Sequence, residues 1–290
     1  MPRRAPAPPP IVFSHGNGFP AGTYRVLFDA WRRAGHAVHA VDRYGHDPRW
    51  PVSGNWPHLR DQLIHFVETE VGAPAVLIGH SLGGILSVLA ASRRPDLALG
   101  VLLLDAPVVG GWRAHGLRVA KATGLIRRVS PGRIARVRRT AWATRAAVRE
   151  HFERKAAFAR WDPRVLDDYV ASGFARTGRG DRTWTLRFDR EVEARIYETL
   201  PHHVGGLLRR HPLRCPLGFI GGRESAELRQ AGVELTRRLA GDRFEWIDGS
   251  HLFPMERPDE AAARALNMVE RLLAARDAAA REGARPRRSR

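Results

Sequence analysis

The segment Gly79-His80-Ser81-Leu82-Gly83 stands between an apolar run, Ala75-Val76-Leu77-Ile78, and a helical pattern, Ile85-Leu86-Ser87-Val88-Leu89-Ala90. A chain that passes from a buried strand into a helix across so few residues must turn sharply. Glycine two places before and two places after the serine leaves room for the backbone to make that turn. The turn pushes Ser81 out of the sheet and aims the free N–H groups and positive end of the next helix at whatever the hydroxyl meets, which points to nucleophilic chemistry. By itself the pentapeptide is a modest signal in a chain with 28 glycines. Its position between the two elements gives it weight.

Two other segments supply what a lone serine lacks. The run Ile11-Val12-Phe13 leads into Ser14-His15-Gly16-Asn17-Gly18-Phe19-Pro20, a strand ending in a loop that can hold backbone N–H groups open. That loop is a candidate oxyanion hole, with the N–H groups of Asn17 and Leu82 as donors, each worth ~3 kcal/mol of barrier when fixed in advance. Phe19, in the same loop, is read as a substrate contact. Near the other end, Phe244-Glu245-Trp246-Ile247 reads as a strand followed by Asp248-Gly249-Ser250-His251-Leu252-Phe253-Pro254. His251 is the expected base, because imidazole titrates where a serine hydroxyl must be deprotonated.

The chain has 13 histidines, and context separates them. His65 lies inside a helical pattern, and His36 and His39 flank a strand. His15 and His80 sit within motifs and are assigned structural roles. His202 and His203 are adjacent, but no third ligand accompanies them at metal-binding spacing, so no metal site is expected.

In the order oxyanion loop, serine elbow and late histidine, these motifs resemble the α/β-hydrolase family, over roughly residues 10 to 276. The H-G-N-G-F-P start, the G-H-S-L-G-G elbow and the G-S-H-L-F-P-M-E-R-P ending look like its bacterial serine hydrolases. The resemblance implies hydrolysis of esters, thioesters, amides or lactones through an acyl-enzyme, with no cofactor. Aspartate in place of Ser81 would imply halide or epoxide chemistry. Acyl transfer, lyase or C–C hydrolase activity on the same scaffold is the alternative, as is a non-catalytic ligand-binding member.

One family element departs from the pattern. Members usually carry the acid that orients the histidine after the penultimate core strand, in a G-x-x-D arrangement. Here the strand Leu217-Gly218-Phe219-Ile220 runs into Gly221-Gly222-Arg223-Glu224-Ser225, so a serine holds the aspartate's place. Two carboxylates remain, Glu224, one residue out of register, and Asp105, which ends the strand Val101-Leu102-Leu103-Leu104; the reading favours Asp105.

Composition adds bounds. The 290 residues, 43% hydrophobic, suffice for one core and an accessory region. No stretch reaches the ~18 apolar residues of a membrane span, and the start Met1-Pro2-Arg3-Arg4 opens no apolar signal core. With a lone Cys215, these features predict a cytoplasmic protein without a membrane partner, either monomer or homodimer. The formal net charge is +18, yet only Lys121 and Lys155 are lysines amid abundant arginine, alanine, glycine and proline. That bias reads as base composition, and no nucleic-acid motif accompanies it, so no specific nucleic-acid partner is expected. A small acyl substrate is.

Strands and helices alternate, which predicts an α/β fold with a mostly parallel sheet covered on both faces. The strands are drawn at 11–15, 37–42, 75–79, 100–105, 217–221 and 244–248, the helices near 22–34, 56–71, 82–94, 226–240 and 258–276. Family members usually begin with an antiparallel hairpin, so a six-stranded sheet shortened at its N-terminal edge is expected. Between residues 108 and 211 the alternation stops for about a hundred residues, too long for a loop. This segment is expected to be a mainly helical cap between core segments 10–107 and 212–276, with one short strand near 184–188. Trp142, Phe158 and Trp161 within it are candidate acyl-pocket residues. Residues 1–9 and 277–290, the latter ending in Arg285, Arg287, Arg288 and Arg290, read as disordered ends.

Overall fold

A computed structural model describes residues 7–126, 130–177 and 183–283. Among the described residues nine strands follow one another: β1 (Ile11–Ser14), β2 (Val38–Ala40), β3 (Ala75–His80), β4 (Ala98–Leu104), β5 (Ala141–Trp142), β6 (Phe174–Arg176), β7 (Trp184–Leu186), β8 (Leu217–Gly222) and β9 (Phe244–Ile247). Six of them form one sheet in the order β2-β1-β3-β4-β8-β9, and every pairing in it is parallel. These strands lie where the apolar runs predict them, with small shifts at their ends.

Parallel strands buried on both faces are apolar at successive positions, and the two side-chain sets go to opposite sides. Ile11, Phe13, Val76, Ile78, Leu102 and Leu104 pack with Leu27, Phe28 and Trp31 of helix Arg25–Arg33 and with Met268, Val269 and Leu272 of the last helix. Val12, Leu77, Val101, Leu103 and Phe219 pack on the other side with Leu59 and Leu63 of helix Pro57–Phe66 and Leu86 and Leu89 of helix Leu82–Arg93. Burying each such side chain contributes ~1.5–3 kcal/mol. The Trp31 indole N–H donates to the Ala262 carbonyl at 3.1 Å, which fastens the first helix to the last without leaving a buried donor unpaired.

The structure corrects the sequence reading in three places. The helix expected at 226–240 is two, Ala226–Ala231 and Glu234–Ala240, because Gly232 takes φ +75° and ends the first. The last helix is Pro258–Gly283 rather than 258–276, so the first part of the expected tail is helical; Ala278-Ala279-Ala280 are strong helix formers and carry the turn pattern on. Arg285, Arg287, Arg288 and Arg290, and residues 1–6, lie outside the described residues. Between β4 and β8 the segment holds helices and also a three-stranded antiparallel sheet, β5-β7-β6, where one strand was expected. Two- and three-residue strands carry too little alternation to be read from sequence. No helix among the described residues is long and apolar enough to cross a membrane.

Candidate active site

At the C-terminal end of β3 the chain reverses within one residue. Ser81 sits between the strand and helix Leu82–Arg93 at φ 52° and ψ −115°, a backbone state that costs ~1–3 kcal/mol for a residue with a side chain. The flanking glycines explain how the turn closes. A Cβ on Gly79 would stand 2.2 Å from the Gly83 carbonyl carbon, and one on Gly83 would stand 1.9 Å from the Ser14 carbonyl oxygen. The Ser81 N–H donates to the Leu104 carbonyl at 3.0 Å, so the neighbouring strand β4 holds the turn.

The residue that follows β4 is Asp105, at φ 48° and buried. Its carboxylate accepts the Gly222 N–H at 2.7 Å and the Ser225 hydroxyl at 2.7 Å. The same Oδ2 lies 2.6 Å from His251 Nδ1, and His251 Nε2 lies 3.0 Å from Ser81 Oγ. An ionised carboxylate only accepts, so the ring proton sits on Nδ1 and the Nε2 lone pair faces the serine hydroxyl. Burial pulls the His251 pKa down, but the Asp105 hydrogen bond and charge, helped by Glu227, more than offset it and leave the pKa above its ordinary value. Ser81, His251 and Asp105 are thus brought together.

Glu224 is not. Its carboxylate points outward into a two-pronged ion pair with Arg160, at 2.5 and 3.1 Å, which holds its pKa below the usual range. The residue beside it is one of those that sequence reasoning missed. Ser225, in the place where the family carries its acid, reaches inward to Asp105 and also accepts the Leu228 N–H at 3.1 Å as the cap of helix Ala226–Ala231. The available signal was a small polar residue left at the vacated position.

The loop after β1 is fixed by a buried hydrogen-bond chain. Gly16 N–H donates to the Tyr24 hydroxyl at 3.0 Å, and that hydroxyl lies 2.7 Å from His80 Nδ1. His80 Nε2 lies 2.9 Å from the carbonyl oxygen of His251, so Nε2 carries the proton and Nδ1 accepts from Tyr24. Burial, with the His251 charge second, pushes the His80 pKa down to about 3, keeping the ring neutral. His15 is likewise neutral, its pKa lowered by burial to about 4; Nε2 accepts the Tyr44 N–H at 3.0 Å and Nδ1 donates to Gly16 O at 2.8 Å. Asn17 turns its amide toward the segment above, donating to the Glu193 carbonyl at 3.0 Å. Leu82 opens its helix, so its N–H has no acceptor within that helix. Tyr24→Phe is expected to leave two buried groups, Gly16 N–H and His80 Nδ1, without partners and to lower unfolding free energy by ~1–3 kcal/mol, measurable by urea titration.

The candidate pocket aromatics divide. Phe19 stands 5.6 Å from Trp161 and 5.9 Å from Tyr169, ring centre to ring centre, and Phe158 lies 4.4 Å from Trp161. Phe19 and Phe158 keep partial exposure. Trp142 is buried against Phe174 and Phe152, which makes it a packing residue with no surface to offer an acyl group. Of the two adjacent histidines, His202 lies 3.4 Å from the Lys121 ammonium through Nδ1, and among the described residues no three His, Cys, Asp or Glu side chains are grouped to hold a metal ion.

An all-parallel sheet, a strained serine at a strand-to-helix turn and an imidazole hydrogen-bonded between that serine and a carboxylate describe the hydrolase class. The chain belongs to the α/β hydrolase family, whose model matches residues 11–265. It is 32% identical over 128 residues to the monoglyceride lipase of Rattus norvegicus, covering 42% of each chain. It is 31% identical over 125 residues to a probable esterase of Oryza sativa, covering 42% of this chain and 46% of that one. The chain therefore spans less than half the length of these curated relatives in the matched region. Among solved structures, E-2-(acetamidomethylene)succinate hydrolase superposes with a TM-score of 0.69 at 21% identity, over 90% of this chain and 91% of the other.

Proposed function

We propose that the protein is a serine hydrolase that cleaves a small or medium acyl ester, or a related thioester or lactone, through an acyl-enzyme. The observation that carries this reading is the pair of contacts at His251, 3.0 Å to Ser81 Oγ and 2.6 Å to Asp105 Oδ2. In this mechanism His251 Nε2 takes the Ser81 proton as the oxygen attacks the acyl carbonyl, and Asp105 stabilises the imidazolium so formed. The new oxyanion meets the N–H groups of Asn17 and Leu82. His251 then protonates the leaving alcohol or thiol, and water repeats the sequence on the acyl-enzyme. Phe19 and Phe158, backed by the buried Trp161, form the wall that meets the acyl group; the similarity to a monoglyceride lipase and an esterase supports an ester as the bond cleaved.

The test is active-site labelling. A fluorophosphonate probe should modify the folded protein once, at Ser81, and leave Ser81→Ala unmodified; a folded wild type that resists the probe would overturn the proposal. A panel of p-nitrophenyl esters and lactones then ranks acyl size.

The histidine also sets a pH dependence. Only neutral His251 acts as a base, and a pKa raised above 6.5 means that the active form is lost as pH falls through that raised value. The acidic limb of kcat/KM should therefore lie above the ordinary imidazole range, and Asp105→Asn should move it to lower pH. A limb at or below the ordinary value in the wild type would contradict this assignment.

A further inference from the structure

All the exposed large apolar side chains among the described residues fall in one stretch: Trp112 at 75% exposure, Val119 at 47%, Leu125 at 48%, Ile134 at 71% and Val137 at 79%. Exposed apolar residues scattered singly mean little, but a set confined to one segment marks a contact surface. Helix Gly111–Ala122 has no buried residue, and Trp112, His115, Gly116, Val119 and Ala122 follow one exposed stripe at helical spacing. Helix Gly132–Val137 buries Gly132 and Ala135 and turns Arg133, Ile134 and Val137 outward. The C-terminal end of the first helix and Arg136 of the second border one cleft, whose lining also holds Glu191 and Glu198, both paired with Arg136.

The charge of this stretch is one-sided. No aspartate or glutamate occurs between Asp105 and Glu150. Arg113, Arg136, Arg138 and Arg149 are paired with carboxylates from elsewhere in the chain. Arg118, Arg133, Arg139 and Arg145 are exposed, and none of them is within ion-pair distance of a carboxylate among the described residues. Exposed arginines free of carboxylates in the same stretch as protruding Trp, Ile and Val side chains match what an anionic lipid surface offers, phosphate charge outside and hydrocarbon just beneath.

We propose that this face of the segment between β4 and β8 docks on an anionic phospholipid surface, with Trp112, Ile134 and Val137 entering the headgroup layer and Arg118, Arg133, Arg139 and Arg145 meeting lipid phosphates. The sequence reading expects no membrane partner, but that expectation rests on the lack of a spanning stretch, which speaks only to crossing a bilayer. Pairing with a second copy would set unneutralised arginines against the same arginines, which disfavours it. A nucleic acid would use the charge and leave the aliphatic side chains without a role. The inference stands without the catalytic assignment, because its readout is binding.

The test is flotation with vesicles of phosphatidylcholine alone and with about a third phosphatidylglycerol, at low and near-physiological salt. The protein should partition about tenfold or more in favour of the anionic vesicles. The variant Trp112→Ser/Ile134→Ser/Val137→Ser, with every charge retained, should lose about tenfold or more of that partitioning. Arg118→Gln/Arg133→Gln/Arg139→Gln/Arg145→Gln should lose at least as much, whereas Arg33→Gln/Arg209→Gln/Arg210→Gln/Arg214→Gln, which removes equal charge elsewhere, should lose far less. Unchanged hydrolysis of a soluble p-nitrophenyl ester and unchanged thermal unfolding would show each variant folded. Equal losses for the two arginine sets, or no effect of the apolar set, would reduce the binding to net charge and overturn the proposal. So would a wild type that ignores anionic vesicles, or a dimer in sedimentation that the apolar variant dissolves.

Discussion

Asp105→Asn is expected to lower kcat by about 10^4, while Glu224→Gln leaves it within about twofold. Asparagine keeps the shape of the side chain, but its amide cannot hold His251 in the tautomer that offers Nε2 to Ser81, nor stabilise the imidazolium. Glu224 is exposed and engaged with Arg160, so its loss changes only a surface ion pair worth ~0–1 kcal/mol. Steady-state kinetics on a p-nitrophenyl ester, with circular dichroism to verify folding, separates the two. A large loss in the Glu224 variant together with a small one in the Asp105 variant would reverse the assignment. Ser225→Ala should fall between them, because it removes one of the hydrogen bonds to the carboxylate and leaves Gly222 N–H and His251 in place.

The second large effect is at Ser81 itself. Ser81→Ala should remove about 10^6 of kcat, leaving the residual rate that an oxyanion hole and binding alone provide. Ser81→Gly should be equally inactive and yet more stable than Ser81→Ala by about 1 kcal/mol, because only glycine adopts φ 52° with ψ −115° at no steric cost. Paired thermal or denaturant melts of the two variants read this difference directly. Equal stability would mean that the turn stores no strain.

How much of this was legible beforehand depended on how local each signal is. The six core strands are continuous apolar runs bounded by turn residues, and such runs declare themselves without knowledge of their neighbours. The elbow was legible for the same reason, since Gly79 and Gly83 answer to backbone atoms close by. The choice of acid was not local. Asp105 directly follows β4 and Glu224 lies two residues beyond β8, and only the pairing of β4 with β3 and β8 puts one beside His251 while the other faces solvent. Tyr24 was invisible as a site residue because its partners, Gly16 and His80, meet it only in three dimensions. Trp142 was misjudged by type: an aromatic side chain suits a pocket or a core, and its burial among Phe152 and Phe174 is a property of the packed segment. The extension of the last helix to Gly283 is carried by the propensity of Ala278, Ala279 and Ala280, a weak local signal beside the basic ending that follows.

Ser81 and Asp105 are carried by adjacent interior strands, joined by the Ser81 N–H to Leu104 carbonyl bond, whereas His251 hangs from the loop beyond β9 at the margin of the sheet. The site therefore draws one half from the interior of the sheet and the other from its margin, where the His251 carbonyl accepts the His80 Nε2–H at 2.9 Å. A shift of the marginal loop would therefore alter proton transfer at His251 while the attacking oxygen and its distant counter-charge stay in register on their paired strands.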